Sequence, residues 1–405
     1  MERSRTDISL LFAARITRLF AYGSLSVLLV LYLAQIGLSA QLIGLLLTLT
    51  LLGDAGISLW ITVSADVIGR RRMLLLGAGL MVLAGVVFLL TDNPIVLIIA
   101  AIIGVISPSG NEIGPFLSIE QAALSQIVPD QRRTKVFAWY NLLGSVATAT
   151  GALVSGWSAQ WLQTAGFSTL QSYRMVLAGY VLCATLLATL FLFLSPSVES
   201  SPSEVVTKRT LGLHRSKKIV LKLSSLFALD AFAGGLVIQS ILAYWFHLKF
   251  GADAATLGTI FFGANLLAAA SALLAVRIAA RIGLIHTMVF THIPSNILLC
   301  LVPLMPNLPL AIGVLLARFS ISQMDVPTRQ SYTMAVVAPD ERSAAAGVTT
   351  IARSVGASLS PTLSGMFLAN PLLFGLPFYA AGTLKIIYDL ILYRSFKTVK
   401  PPEEF

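Results

Sequence analysis

Six acids and seven bases fall inside the apolar segments of this sequence: Asp54, Glu112, Glu120, Asp230, Asp325 and Asp389, against Arg15, Arg18, Arg277, Arg318, Arg329, Arg353 and Lys385. A charge in an apolar segment is costly, so each is a site hypothesis by default. Their near-balance points to partners rather than isolated ions. The chemistry open to such a set is ion pairing, recognition of a charged solute and proton exchange. No phosphate-binding glycine loop, zinc-spaced His/Cys cluster or nucleophile elbow occurs, and the four histidines (His214, His247, His286, His292) are scattered. These absences speak against an ATP-driven pump and against an enzyme, and no cofactor or metal is expected.

The elements that must hold these charges are membrane helices. The chain of 405 residues is 56% hydrophobic and 11% charged, where a soluble domain carries about 25% charged residues. Its mean hydropathy is +0.84. Runs such as "MLLLGAGLMVLAGVVFLL" reach the roughly 20 apolar residues that a spanning helix needs. Twelve such segments are expected, at about 9–35, 41–64, 72–91, 95–127, 136–160, 174–195, 221–249, 257–280, 285–303, 309–336, 344–367 and 372–393. The first run is too long for a signal-peptide core and is taken as a retained span.

The net charge of +10 is not spread as a nucleic-acid footprint. With both termini cytoplasmic, 19 of the 28 Lys and Arg fall on the cytoplasmic side, including Arg70 to Arg72, Arg132, Arg133, Lys135 and the cluster from Lys208 to Lys222. Only Arg174 and Lys249 fall outside. That is the positive-inside asymmetry of a multi-pass protein, expected in the cell (inner or plasma) membrane. Cys183 and Cys300 sit within spans and read as small packing residues, not as a disulfide framework.

The one long polar interruption, "SPSVESSPSEVVTKRTLGLHRSKK", divides the segments six and six. The expected domains are residues 1–195, a cytoplasmic linker at 196–220, and residues 221–405. An offset of 214 lays Gly37 on Gly251, Gly44 on Gly258 and Gly69 on Gly283. Further along, the offset drifts to 210 and then 209, pairing Pro129-Asp130 with Pro339-Asp340, Arg132 with Arg342, and Ser155-Gly156 with Ser364-Gly365. The chain reads as an internal duplication. Two parallel repeats of this kind can alternate access to a site at their interface.

At the end of the second segment stands "SADVIGRRRM". Asp66, Gly69, Arg70 and Arg71 are similar to the loop between the second and third helices of the major facilitator superfamily, although Thr62 stands where that family usually has Gly. The second copy, "AARIGLIH", keeps Arg281 and Gly283 but has Ala280 in place of the acid. The resemblance covers the whole chain. It implies an all-α membrane protein of twelve helices in two six-helix bundles, working on a small-molecule substrate in a lipid bilayer; a monomer is expected. It also implies a gating latch at Asp66, Gly69, Arg70 and Arg71. Apart from the resemblance, Gly69 suits a tight turn and the arginines suit an anionic membrane face.

In the superfamily the first, fourth, seventh and tenth helices line the central cavity. That places Arg18, Asn111, Gln239, Arg318 and Arg329 in it, with Arg353 on the eleventh helix at the interface. Arg18 and Asp230 each lie about nine residues, roughly 14 Å, from the cytoplasmic end of their spans. Three pairs are expected across the halves: Arg18 with Asp230, Asp54 with Arg353, and Glu120 with Arg329. Lys385 and Asp389, four apart, are expected to satisfy each other. Glu112 has no evident basic partner, and a desolvated carboxylate of that kind can exchange protons near neutral pH. The expected proton-coupling acids are Glu112 first, then Glu120, Asp230, Asp325 and Asp54.

Three functions follow. The first is proton-coupled efflux of an organic or toxic compound, with metal or metalloid efflux as a narrower form. The second is proton-coupled uptake of a small anionic nutrient, favoured by the arginines. The third is a non-transporting receptor, for which no sizeable extramembrane segment is present. Gly151 and Gly156 only partly match the glycine pattern of drug antiporters, since Ala152 replaces a proline, and "LSPSVESSP" lacks the sugar-porter pattern.

Overall fold

Lipid offers no partner to a backbone N–H or C=O, so continuous apolar runs become helices that satisfy those groups internally. A computed structural model describes residues 2–110, 115–199, 215–338 and 341–397, and the described chain is helical with no strand. In chain order the helices are α1 (Glu2–Gln35), α2 (Ala40–Ile68), α3 (Arg70–Leu90), α4 (Pro94–Ile103), α5 (Phe116–Ile127), α6 (Asp130–Thr164), α7 (Thr169–Leu192) and α8 (Lys217–Gly235). They continue with α9 (Gln239–Phe250), α10 (Ala254–Ile282), α11 (Leu284–Leu301), α12 (Leu308–Phe319), α13 (Asp325–Val336), α14 (Arg342–Leu359), α15 (Pro361–Leu368) and α16 (Leu376–Phe396). Among the described residues, eight stretches are long and apolar enough to cross a membrane, and α4 and α12 are shorter apolar helices.

Eight of the expected segments are single helices; the fourth, seventh, tenth and eleventh are each divided in two. Gly104, Pro108 and Pro115 lie in the break between α4 and α5, Gly235 ends α8, and Pro361 opens α15. Proline removes a backbone donor and crowds the preceding turn, which ends or kinks a helix. Such breaks are tolerated at membrane depth where the freed groups meet protein or water.

The duplication is visible in the caps. Asn93 and Asn307 are 214 residues apart, and each caps its helix. Asn93 accepts from Ile95 N (3.0 Å) at α4, and Asn307 from Leu310 N (3.1 Å) at α12. An Asn cap satisfies one of the orphan donors in the first turn.

The chain forms two compact units. Unit 1 comprises residues 1–39, 49–208 and 251–262; unit 2 comprises 40–48, 209–250 and 263–405. Within unit 1, a Cβ added to Gly156 of α6 would lie 2.9 Å from Gly258 Cα of α10. Within unit 2, one added to Gly365 of α15 would lie 3.0 Å from Gly44 Cα of α2. These four glycines are the ones the duplication pairs, Gly44 with Gly258 and Gly156 with Gly365. Small residues let membrane helices approach closely, so Gly156 serves packing. Gly151 does the same against Phe20, whose carbonyl oxygen would be 2.1 Å from an added Cβ.

Candidate functional site

Each unit buries its own charged cluster. In unit 1, Arg18 of α1 donates from both terminal nitrogens to Glu120 of α5, at 2.6 and 2.7 Å, and both side chains are fully buried. Tyr140 of α6 donates its hydroxyl to the same carboxylate. Arg18 also lies 4.6 Å from the Phe116 ring centroid, and Arg15 4.3 Å from that of Tyr140. Arg15 donates to Asn141 Oδ1 at 3.2 Å. A bidentate guanidinium–carboxylate pair is among the stronger and more directional of charge-assisted contacts. Breaking a buried pair of this kind by removing one partner costs about 3–5 kcal/mol, whereas neutral replacement of both is often tolerated.

Unit 2 is built around one carboxylate. Asp230 of α8 accepts from Lys385 Nζ of α16 at 2.6 Å, Arg353 Nη1 of α14 at 3.1 Å and Arg329 Nη1 of α13 at 3.3 Å. Arg329 also holds Asp325, one turn earlier on α13, at 2.7 Å. His292 of α11 places Nδ1 2.9 Å from Asp389 Oδ1 and Nε2 4.0 Å from Asp230 Oδ1, linking the two acids. Asn296, one turn on, donates to Asp389 Oδ2 at 3.4 Å. Arg353 alone among the three cations is substantially exposed, at 34% of its side chain.

The charges expected to pair across the halves have partners within their own units: Glu120 for Arg18, Asp325 and Asp230 for Arg329, and Asp230 for Arg353. Lys385 and Asp389 do not satisfy each other, because Asp230 and His292 supply nearer partners. Asp54 is buried on α2 and accepts from Ser58 at 3.3 Å. Gln239, at the start of α9, accepts from Asn265 at 3.3 Å. Asn111 and Glu112 lie outside the described residues. Arg318 is half-buried near the end of α12, 4.9 Å from the Phe319 ring centroid, and forms no hydrogen bond or ion pair with a described side chain.

The loop residues form a separate knot in unit 1. Gly69 has φ +117, a conformation that favours glycine, and it turns the chain from α2 into α3. Asp66 receives Arg70 Nε at 3.0 Å. Arg70 also reaches Gln126 at 2.7 Å, while Glu199 accepts the backbone N–H groups of Arg70 (2.6 Å) and Arg71 (3.2 Å) at the start of α3. A carboxylate at a helix N-terminus meets unsatisfied donors and a favourable dipole. Arg71 donates to the Leu192 carbonyl.

Sequence reasoning missed Tyr140, His292, Asn296 and Glu199. The available signal for the histidine was "THIPSN", a polar pair bracketing Pro294 in an otherwise apolar helix.

Two buried charge clusters set in duplicated bundles of broken helices define a membrane transporter of the facilitator type. The chain belongs to the Major Facilitator Superfamily, whose family profile matches residues 11–361. It is 32% identical to an uncharacterized membrane protein of Saccharomyces cerevisiae, YJR124C, over 96% of this chain and 94% of that one. In fold it is similar to a variant of the nucleoside transporter NupG (TM-score 0.78, 11% identity, 96% of this chain and 99% of that one). It is also similar to the xylose transporter XylE of E. coli in a partially occluded inward-open conformation (TM-score 0.73, 15% identity, 100% and 99%).

Proposed function

We propose that this protein is a proton-coupled secondary transporter that moves a small organic anion by alternating access, as a monomer in the cell membrane with both termini cytoplasmic. The observation that carries the anion is the asymmetry of partners. Glu120, Asp230 and Asp325 are each held by cations of their own unit, whereas Arg318 forms no ion pair among the described residues. An unpaired guanidinium in an apolar helix is suited to a carboxylate or phosphate of a solute. This supports the anionic substrate over the cationic or neutral toxic compound that the acids alone favoured.

For the coupling ion, Glu120 is sealed by Arg18 and Tyr140, which supports a structural role for it. Coupling is then carried by the Asp230–Asp325 cluster of unit 2, with Asp54 and Glu112 as further carboxylates. Asp66, Gly69, Arg70 and Arg71 form the gating knot. The test is transport by the purified protein in liposomes under an imposed pH gradient, with labelled small carboxylates and phosphates compared with cationic amphiphiles. Accumulation of an anion that collapses with a protonophore is expected. Movement of cationic amphiphiles alone would overturn the anion, and accumulation insensitive to the protonophore would overturn the coupling.

A further inference from the structure

His292 and Asp389 are absent from the coupling acids named above and lie on α11 and α16, away from α8 and α13. Yet they are joined to the same cluster. Asp389 is fully buried, and the groups that hydrogen-bond it are His292 and Asn296. Through His292 Nε2 it faces Asp230, and through Asp230 it faces Lys385 of its own helix, Arg329 and Asp325 of α13 and Arg353 of α14. Tyr388, its neighbour in sequence, is buried beside His292, the rings 6.1 Å apart.

Charge counting isolates the variable member. Asp230, Asp325 and Asp389 balance Lys385, Arg329 and Arg353 when His292 is neutral. In that state Nδ1–H donates to Asp389 and the bare Nε2 faces a carboxylate oxygen of Asp230. One added proton gives an imidazolium between two carboxylates, or equivalently a protonated Asp389 donating to Nδ1 with Nε2–H toward Asp230. Both descriptions hold the same proton, as expected for strongly interacting sites.

The neighbouring amide suits either state. Asn296 Nδ2 donates to the charged carboxylate, while its Oδ1 is buried without a partner among the described residues. When Asp389 is protonated and donates through Oδ1 to Nδ1, its Oδ2 is the carbonyl oxygen and still accepts from Nδ2. Pro294, between His292 and Asn296, removes a hydrogen bond from α11 at this level.

We infer that His292 and Asp389 form a single proton-binding site whose occupancy sets the net charge of the Asp230 cluster. With the proton bound, the cluster carries one excess positive charge and attracts an anion toward Arg353, its exposed member. With the proton released to water, the cluster is neutral and the anion is free to leave. This rests on the proton-coupled reading above, which it supplies with a site.

The direct probe is the proton itself. Acid-minus-alkaline infrared difference spectra of the full chain in lipid are expected to show a carboxyl band that shifts on 13C-aspartate labelling. That band should vanish in Asp389→Asn, persist in Asp325→Asn and be displaced in His292→Gln. The amide band of the same spectra reports folding. If Asp389→Asn does not fold, Asn296→Leu, which removes the amide donor to Asp389 Oδ2, should displace the band instead. A band that is unchanged in Asp389→Asn, or in both His292→Gln and Asn296→Leu, or the absence of any carboxyl, carboxylate or imidazole band, would overturn the site. Failure of proton-driven transport in the wild type with the band intact would instead sink the coupling reading.

Discussion

The two units place their buried charges at corresponding positions and with opposite sign. In unit 1 a cation on α1, Arg18, meets an acid on α5, Glu120; in unit 2 an acid on α8, Asp230, meets a cation on α13, Arg329. Glu120 and Arg329 are paired by the duplication at offset 209. The same offset places Arg353 opposite Gly144, where an added Cβ would lie 2.6 Å from Arg15 Nε. One unit thus fills that space with an arginine from α1, and the other with an arginine from α14. The consequences differ. The unit 1 pair is closed, one bidentate bridge capped by a tyrosine. Unit 2 shares one carboxylate among three cations and a histidine, so its hydrogen bonds can be redistributed when a proton or an anion arrives.

The largest effect that breaks this comparison is expected from Asp230→Ala. It strands Lys385 and Arg353 and leaves Arg329 to Asp325 alone, so the loss should exceed the about 3–5 kcal/mol typical of one broken buried pair; size-exclusion chromatography after extraction should show little folded protein. Glu120→Ala, which removes the bidentate carboxylate from Arg18, should cost about 3–5 kcal/mol and leave a folded protein with a lower Tm. Combining Arg18→Glu with Glu120→Arg gives unit 1 the polarity of unit 2 and should recover most of the Tm lost in either single variant. Failure to recover would show that Tyr140 and Phe116 fix the polarity.

Smaller effects sharpen the contrast. Arg353→Gln removes a partly exposed partner of Asp230 and should cost about 1 kcal/mol, discounted for solvent screening, in the same thermal measurement. Arg318→Gln removes no hydrogen bond to a described side chain and should leave stability within about 0.5 kcal/mol of the wild type, while anion transport is lost.

Much of the fold was legible because its signals are one-dimensional. Apolar run length marks the helices, and the repeat offset survives in single residues such as Asn93 and Asn307, or Gly156 and Gly365. Pairing was not legible, because depth along a helix does not say which neighbour a side chain faces. Arg18 and Asp230 lie at matching depths yet are each satisfied within their own unit. Spacing was equally insufficient. Asp325 and Arg329, four apart on α13, do pair at 2.7 Å, whereas Lys385 and Asp389, also four apart, take Asp230 and His292 instead. An i,i+4 contact is worth only a few tenths of a kcal/mol on a helix surface, so a nearer tertiary partner displaces it. His292 was missed because an isolated histidine carries no spacing pattern.

The division of labour between a static pair in unit 1 and an anion-binding arginine in unit 2, Arg318, is tested most directly by proton-driven anion accumulation in liposomes. The comparison is between the wild type, the neutralised unit 1 pair (Arg18→Gln with Glu120→Gln) and Arg318→Gln. Accumulation should persist when the unit 1 pair is neutralised and disappear in Arg318→Gln. The reverse, accumulation lost with the unit 1 pair and retained in Arg318→Gln, would contradict it.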